Sequence, residues 1–114
     1  MKREQPERNN RHVLAGVFAA LGDETRLRLV SRLCNEGPMS ITRLSTGSDI
    51  TRQAITKHLH VMEKAGLIRN KREGRESRWE LDRRRLRQVR QHLAAISKQW
   101  DDALERLRDF VEAS

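Results

Sequence analysis

Residues 51–66 read TRQAITKHLHVMEKAG. Ala54, Ile55, Leu59 and Met62 recur at helical spacing and define one apolar side. Thr51 stands where a cap is wanted and Ala65-Gly66 is a stop, so the spacing predicts one short helix. The other side carries Arg52, Gln53, Thr56, Lys57 and His60. A face that merely meets water is served by any Glu and Lys. This one mixes a guanidinium fork, a carboxamide, a hydroxyl and an ammonium within two turns.

Upstream, residues 13–21 (VLAGVFAAL) are nearly continuously apolar, as a short helix buried on several sides would be. Gly22 ends it, and Asp23 caps a second helix, DETRLRLVSRLCNEG. There Leu27, Val30 and Cys34, with Leu29 and Leu33 alongside, form the expected stripe; Arg26, Arg28 and Arg32 lie outside it. Gly37-Pro38 breaks the chain. Ser40 caps a two-turn segment, ITRLSTG, which Asp49-Ile50-Thr51 links tightly to the opening helix. Two short helices joined by a tight turn make a helix-turn-helix pattern.

Downstream, residues 67–72 and 77–81 are candidate strands around the turn Glu73-Gly74-Arg75-Glu76, a hairpin that forms the wing of a winged helix. Asp82 caps a final helix to about Ala113. In it Leu86, Val89, Leu93, Ile96, Trp100, Ala103, Leu107 and Phe110 are separated alternately by three and four residues. So strict a heptad seam argues for helix against helix, and a small chain has little of its own surface to cover it. The expected architecture is mainly α with a two-stranded β-hairpin and about five helices. A flexible polar tail (1–12) precedes a winged helix-turn-helix domain (13–82), and residues 83–114 form the dimerisation helix of that same domain.

The totals agree. A chain of 114 residues allows one domain. Charged residues make up 35% and aromatics 4%, so a core shared between two copies would help a single one. The formal net charge is +8, and residues 52–90, with 13 basic against 5 acidic groups, hold an excess as large as the whole. A field so localised suits a polyanion. Cys34 is the one cysteine, which rules out an internal disulfide and fits a reducing compartment; its place on the stripe predicts a buried thiol. No apolar run approaches the roughly 20 residues of a bilayer span. Residues 1–12 have no signal-peptide core. A cytoplasmic, nucleoid-associated protein is expected, with no membrane partner.

These stretches together resemble the ArsR/SmtB family of bacterial winged-helix repressors. FAALGDETRLRLVSRL, ITRQAITKHLHVMEKAGLI, RNKREGRESRWEL and the terminal helix carry the likeness over about residues 13–113. Glu24 stands where many members have Pro, Arg43 where a Glu would complete a capping box with Ser40, and Trp79 where the wing usually has Tyr. The resemblance implies a homodimer joined through the first and last helices, with Val13, Val17, Leu86, Val89, Leu93, Ile96, Trp100 and Leu107 at the interface. It implies a sequence-specific repressor of double-stranded DNA, autoregulatory on a dyad-symmetric operator. The alternative is a metal- or small-molecule-responsive sensor repressor of the same family.

In such a docking the first turns of the opening helix enter the major groove, where Arg can bind guanine and Gln adenine in bidentate fashion. Thr51, Arg52, Gln53, Thr56, Lys57 and His60 are the expected recognition residues, His60 toward phosphate. Arg72, Arg75 and Arg78 of the wing, supported by Ser40, lie along the backbone or enter the minor groove. Arg83, Arg84, Arg85, Arg87 and Arg90 extend the basic region. His58, beside the apolar stripe, is a packed and hydrogen-bonded histidine. The helix before the turn has no Cys pair, and the last helix offers only a weak set, His92 with Asp101, Asp102 or Glu105, short of a tight zinc site. The likeness is to the metal-independent branch, with its RRxxW/Y-type wing and its Trp in KQWDDALERL. No metal, nucleotide or other cofactor is expected. With no phosphate-cradling loop and no nucleophile–base set, an enzyme is not expected either.

Overall fold

The computed structural model describes residues 6–113, which run α1 (Pro6–Leu21), α2 (Glu24–Glu36), β1 (Met39–Ser40), α3 (Ile41–Ser45), α4 (Arg52–Lys64), β2 (Ile68–Glu73), β3 (Glu76–Leu81) and α5 (Arg83–Ala113). The first helix starts at Pro6, seven residues before the apolar row. Proline suits a first helical position, where its missing N–H has no partner to lose. Residues 1–5 of the expected tail lie outside the described residues.

Side chains make all four expected caps. Asp23 Oδ2 accepts from Arg26 N at 3.0 Å, Ser40 Oγ from Arg43 N at 3.2 Å, Thr51 Oγ1 from Ala54 N at 3.1 Å, and Asp82 Oδ1 from Arg85 N at 3.2 Å. Each satisfies an amide that the first turn leaves without a partner. The far end of α4 closes as a Schellman motif: Leu67 N donates to Met62 O and Gly66 N to Glu63 O. Gly66 supplies the left-handed backbone this needs (φ 79°), and Leu67 folds back on Met62, both fully buried.

The hairpin is part of a three-stranded antiparallel sheet of order β1-β3-β2. Met39 pairs with Trp79 and Ser40 with Arg78, so the short β1 joins the helix-turn-helix to the wing. A two-residue strand has no periodicity to read, which is why the sequence showed only the hairpin.

Ile55, Leu59 and Met62 of α4 have no exposed surface and form the centre of the core, against Leu14 and Val17 of α1, Leu29 and Leu33 of α2, and Leu44, Leu67 and Trp79. Two expectations change here. Leu27 is half exposed and Cys34 is exposed, so the thiol is not a buried structural one. Residues two apart lie about 200° apart on a helix, so Leu27 and Leu29 cannot share a face; the core takes the side of Leu29 and Leu33. In α1, Ala15, Gly16 and Ala19 are exposed, so a single chain buries that helix on one side only. The radius of gyration, 18.9 Å, exceeds the roughly 13 Å of a compact chain this long, because much of α5 extends past the core.

Candidate nucleic-acid interface

Opposite the buried ridge of α4, Arg52, Gln53 and Lys57 are exposed, and among the described residues their side chains have no hydrogen-bond or ion-pair partner. Thr51 is taken up by the cap. Thr56 is half-buried and its hydroxyl donates to Arg52 O at 2.9 Å, leaving its methyl and a lone pair free. His60 is turned toward the wing: its ring meets the Trp79 indole edge to face, and Nδ1 lies 3.5 Å from Glu63 Oε1.

The wing turns on Gly74 and Arg75 between the paired Glu73 and Glu76. Gly74 has φ 62° while Arg75 stays in the ordinary range, the type II′ pattern that matches strand twist. Not all its cations are equal. Arg78 reaches Glu76 at 3.3 Å, Arg69 reaches Glu80 at 2.7 Å, and Lys71 reaches Glu73 at 3.5 Å. Arg72 and Arg75 are exposed, with no ion pair among the described residues. Ser40 acts through its cap and its pairing with Arg78. On α5, Arg83, Arg84, Arg87 and Arg90 face solvent; Arg85 folds back over Gly66, its guanidinium 3.1 Å from where a Cβ there would stand.

Three contributors were not legible in the sequence. Trp79, 5% exposed, pins β3 between Met39 and Asn70. Arg32 on α2 donates to Leu44 O at 3.1 Å at the end of α3 and bonds Glu36 at 3.0 Å. Arg26 donates through Nε to Ala20 O and through Nη1 to His58 Nδ1 at 3.2 Å. His58 is thus packed and hydrogen-bonded, with Asp23 Oδ2 3.9 Å away. The Arg26 backbone N–H, more than any other partner, holds the Asp23 carboxyl below its ordinary range; partial desolvation opposes this, and the charge of Arg26 adds to the lowering. An arginine beside the apolar stripe of a helix has no sequence signal that distinguishes an inward guanidinium from a solvated one.

The expected interface residues divide. Val17 and Val89 are buried in the chain's own core, so neither can be a bare contact for another copy; Val13 and Leu86 are half-buried. Leu93, Ile96, Trp100 (64%), Leu107 (58%) and Phe110 are exposed, and Leu104 widens the same stripe. His92 lies against the Phe18 ring, centroids 6.2 Å apart. Asp101, Asp102 and Glu105 face solvent, and among the described residues no three His, Cys, Asp or Glu side chains gather as a metal site would require. No described helix is long and apolar enough to cross a membrane.

Residues 21–70 match a family model described as a helix-turn-helix domain. The uncharacterized HTH-type transcriptional regulator YuzN of Bacillus subtilis (strain 168) is 45% identical over 65 residues, 52% of this chain and 71% of that one. An ArsR-like transcriptional regulator from Rhodococcus sp. RHA1 superposes with a TM-score of 0.78 at 33% identity, over 90% of this chain and 95% of its own. The homodimeric winged helix-turn-helix domain of Mb0332 from Mycobacterium bovis shares the fold: TM-score 0.62 at 17% identity, over 90% of this chain and 91% of that one. With its helix-turn-helix and wing in the same order, and a relative alike over nearly its full length, this chain belongs to the ArsR-like family of winged helix-turn-helix transcriptional regulators, which are DNA-binding proteins and not enzymes.

Proposed function

We propose that the protein is a homodimeric repressor that binds a dyad-symmetric operator in double-stranded DNA, its own promoter included, and silences transcription by occupying it. It works in the cytoplasm on nucleoid DNA. One observation carries this reading: the first two turns of α4 present Arg52, Gln53 and Lys57 to solvent, without partners among the described residues, on a helix whose opposite ridge is fully buried. The ridge fixes the helix, and the free groups are placed for a major groove, Gln53 for an adenine edge and Arg52 for a guanine. Arg72 and Arg75 are placed for phosphate or the minor groove, where they set affinity and register.

The bare stripe of α5 and the small exposed residues of α1 support pairing of two copies through these helices. Ala15, Gly16 and Ala19 would let a partner helix approach closely, and the neighbour from M. bovis is described as a homodimer. Two recognition helices would then meet half-sites about 34–36 Å apart on one face of the duplex. Nuclease footprinting on the DNA upstream of the gene, with sedimentation equilibrium of the protein, tests both parts. A two-lobed protected dyad and a dimer at micromolar concentration are the expected result; a monomer, or uniform protection without a preferred site, would overturn the proposal.

A further inference from the structure

Arg26 joins three elements with one planar group. Its Nε donates to the Ala20 carbonyl in the last turn of α1, where helix carbonyls lack intrahelical partners. Its Nη1 donates to His58 Nδ1, midway along α4. A guanidinium holds two such bonds in fixed relative directions, which the point charge of a lysine cannot do. We infer that Arg26 and His58 are positioning residues for DNA reading: they fix the angle of the recognition helix against α1, and so the spacing of the two heads in the dimer. This rests on the repressor reading above.

The bond to Arg26 requires Nδ1 to be an acceptor, so the ring must be neutral with its proton on Nε2. A second proton sets donor against donor and cation against cation. Among the described residues the charged groups recorded against the ring are Arg26 from α2 and Asp23 from the α1–α2 link, with Asp23 Oδ2 3.9 Å from the same nitrogen. Among the described residues α1 reaches this cluster through the Ala20 carbonyl, which Arg26 bonds, and no ion pair reaches His58 from α3 or β2, which also pack on α4. A ring protonated on both nitrogens would lose the acceptor bond to Arg26 and keep only an ion pair with Asp23, at 3.9 Å. The link to α1 is released, and the heads lose their set spacing.

The test compares wild type, His58→Gln, His58→Leu and Arg26→Lys. The carboxamide of Gln can accept from Arg26, the side chain of Leu cannot, and His60 remains in all four. Affinity is measured for a duplex from upstream of the gene and for a random duplex, and their ratio is compared. Relative to wild type the ratio should fall about fivefold or more in His58→Leu and in Arg26→Lys, and His58→Gln should keep it. Ring nitrogen NMR of the DNA-free wild type should show the Nε2–H tautomer. A His58→Leu ratio equal to that of wild type, or an Nδ1–H tautomer, would overturn the inference. Equal affinity of every variant for both duplexes would instead overturn the repressor reading and the positioning role with it, while the tautomer still decides whether the Arg26 bond exists in solution.

Discussion

The imidazole of His60 meets the indole of Trp79 edge to face, centroids 5.9 Å apart and planes at 84°. One ring belongs to α4 and the other to β3, so that helix and the wing share a contact. Such pairs contribute about 0.5–1.5 kcal/mol beyond the area they bury. The wing is therefore held to α4 near its base, while its tip at Gly74-Arg75 is exposed.

Because Trp79 also fills the space between β1 and β2, Trp79→Ala should cost about 3–5 kcal/mol in urea unfolding. A loss below about 1 kcal/mol would mean that the sheet does not depend on the indole.

Gln53 is exposed and has no side-chain partner among the described residues, so Gln53→Ala should leave the melting curve unchanged. On the upstream duplex it should cost about 1–3 kcal/mol of binding, and almost nothing on random DNA. Fluorescence anisotropy with both duplexes decides; equal losses would remove Gln53 from base reading.

Arg75 and Arg78 make a pair of controls. Arg75 has no ion pair among the described residues, while Arg78 shares its charge with Glu76 at 3.3 Å. Arg75→Ala should lower the slope of log affinity against log salt by about one unit, and Arg78→Ala by less. Identical slopes would show that the Glu76 pair opens on binding.

The two ends of the α5 seam should respond differently. Leu107 is exposed, so Leu107→Glu should shift sedimentation toward monomer with helix content kept. Val89 is buried in the chain's own core, so Val89→Ala should lower stability by about 2 kcal/mol. A Leu107→Glu protein that still sediments as a dimer would place the interface elsewhere.

Asp23 makes stability depend on acid. Its carboxyl sits below its ordinary value in the fold, so the stabilisation is present above the unfolded value and is lost as pH falls through the folded one. Asp23→Ser keeps a capping oxygen and removes the titration. The stability gap between wild type and Asp23→Ser should shrink from pH 7 to pH 3; a constant gap would separate Asp23 from the acid response.

The sequence by itself determined the local punctuation and the periodic faces. Asp23, Ser40, Thr51 and Asp82 cap because a cap depends on an amide three residues away, and Ala65-Gly66 stops α4 because only a left-handed residue closes that motif. The polar face of α4 and the seam of α5 were legible for the same reason: a helical period is local. Tertiary structure decided the rest. It chose Leu29 over Leu27 as the buried ridge of α2, placed β1 beside Trp79, drew Val17 and Val89 inward, and sent Arg26 and Arg32 to carbonyls on other helices. None of these is set within one element. Each depends on which neighbour arrives from a distant part of the chain, and on which of its polar groups that neighbour leaves unsatisfied.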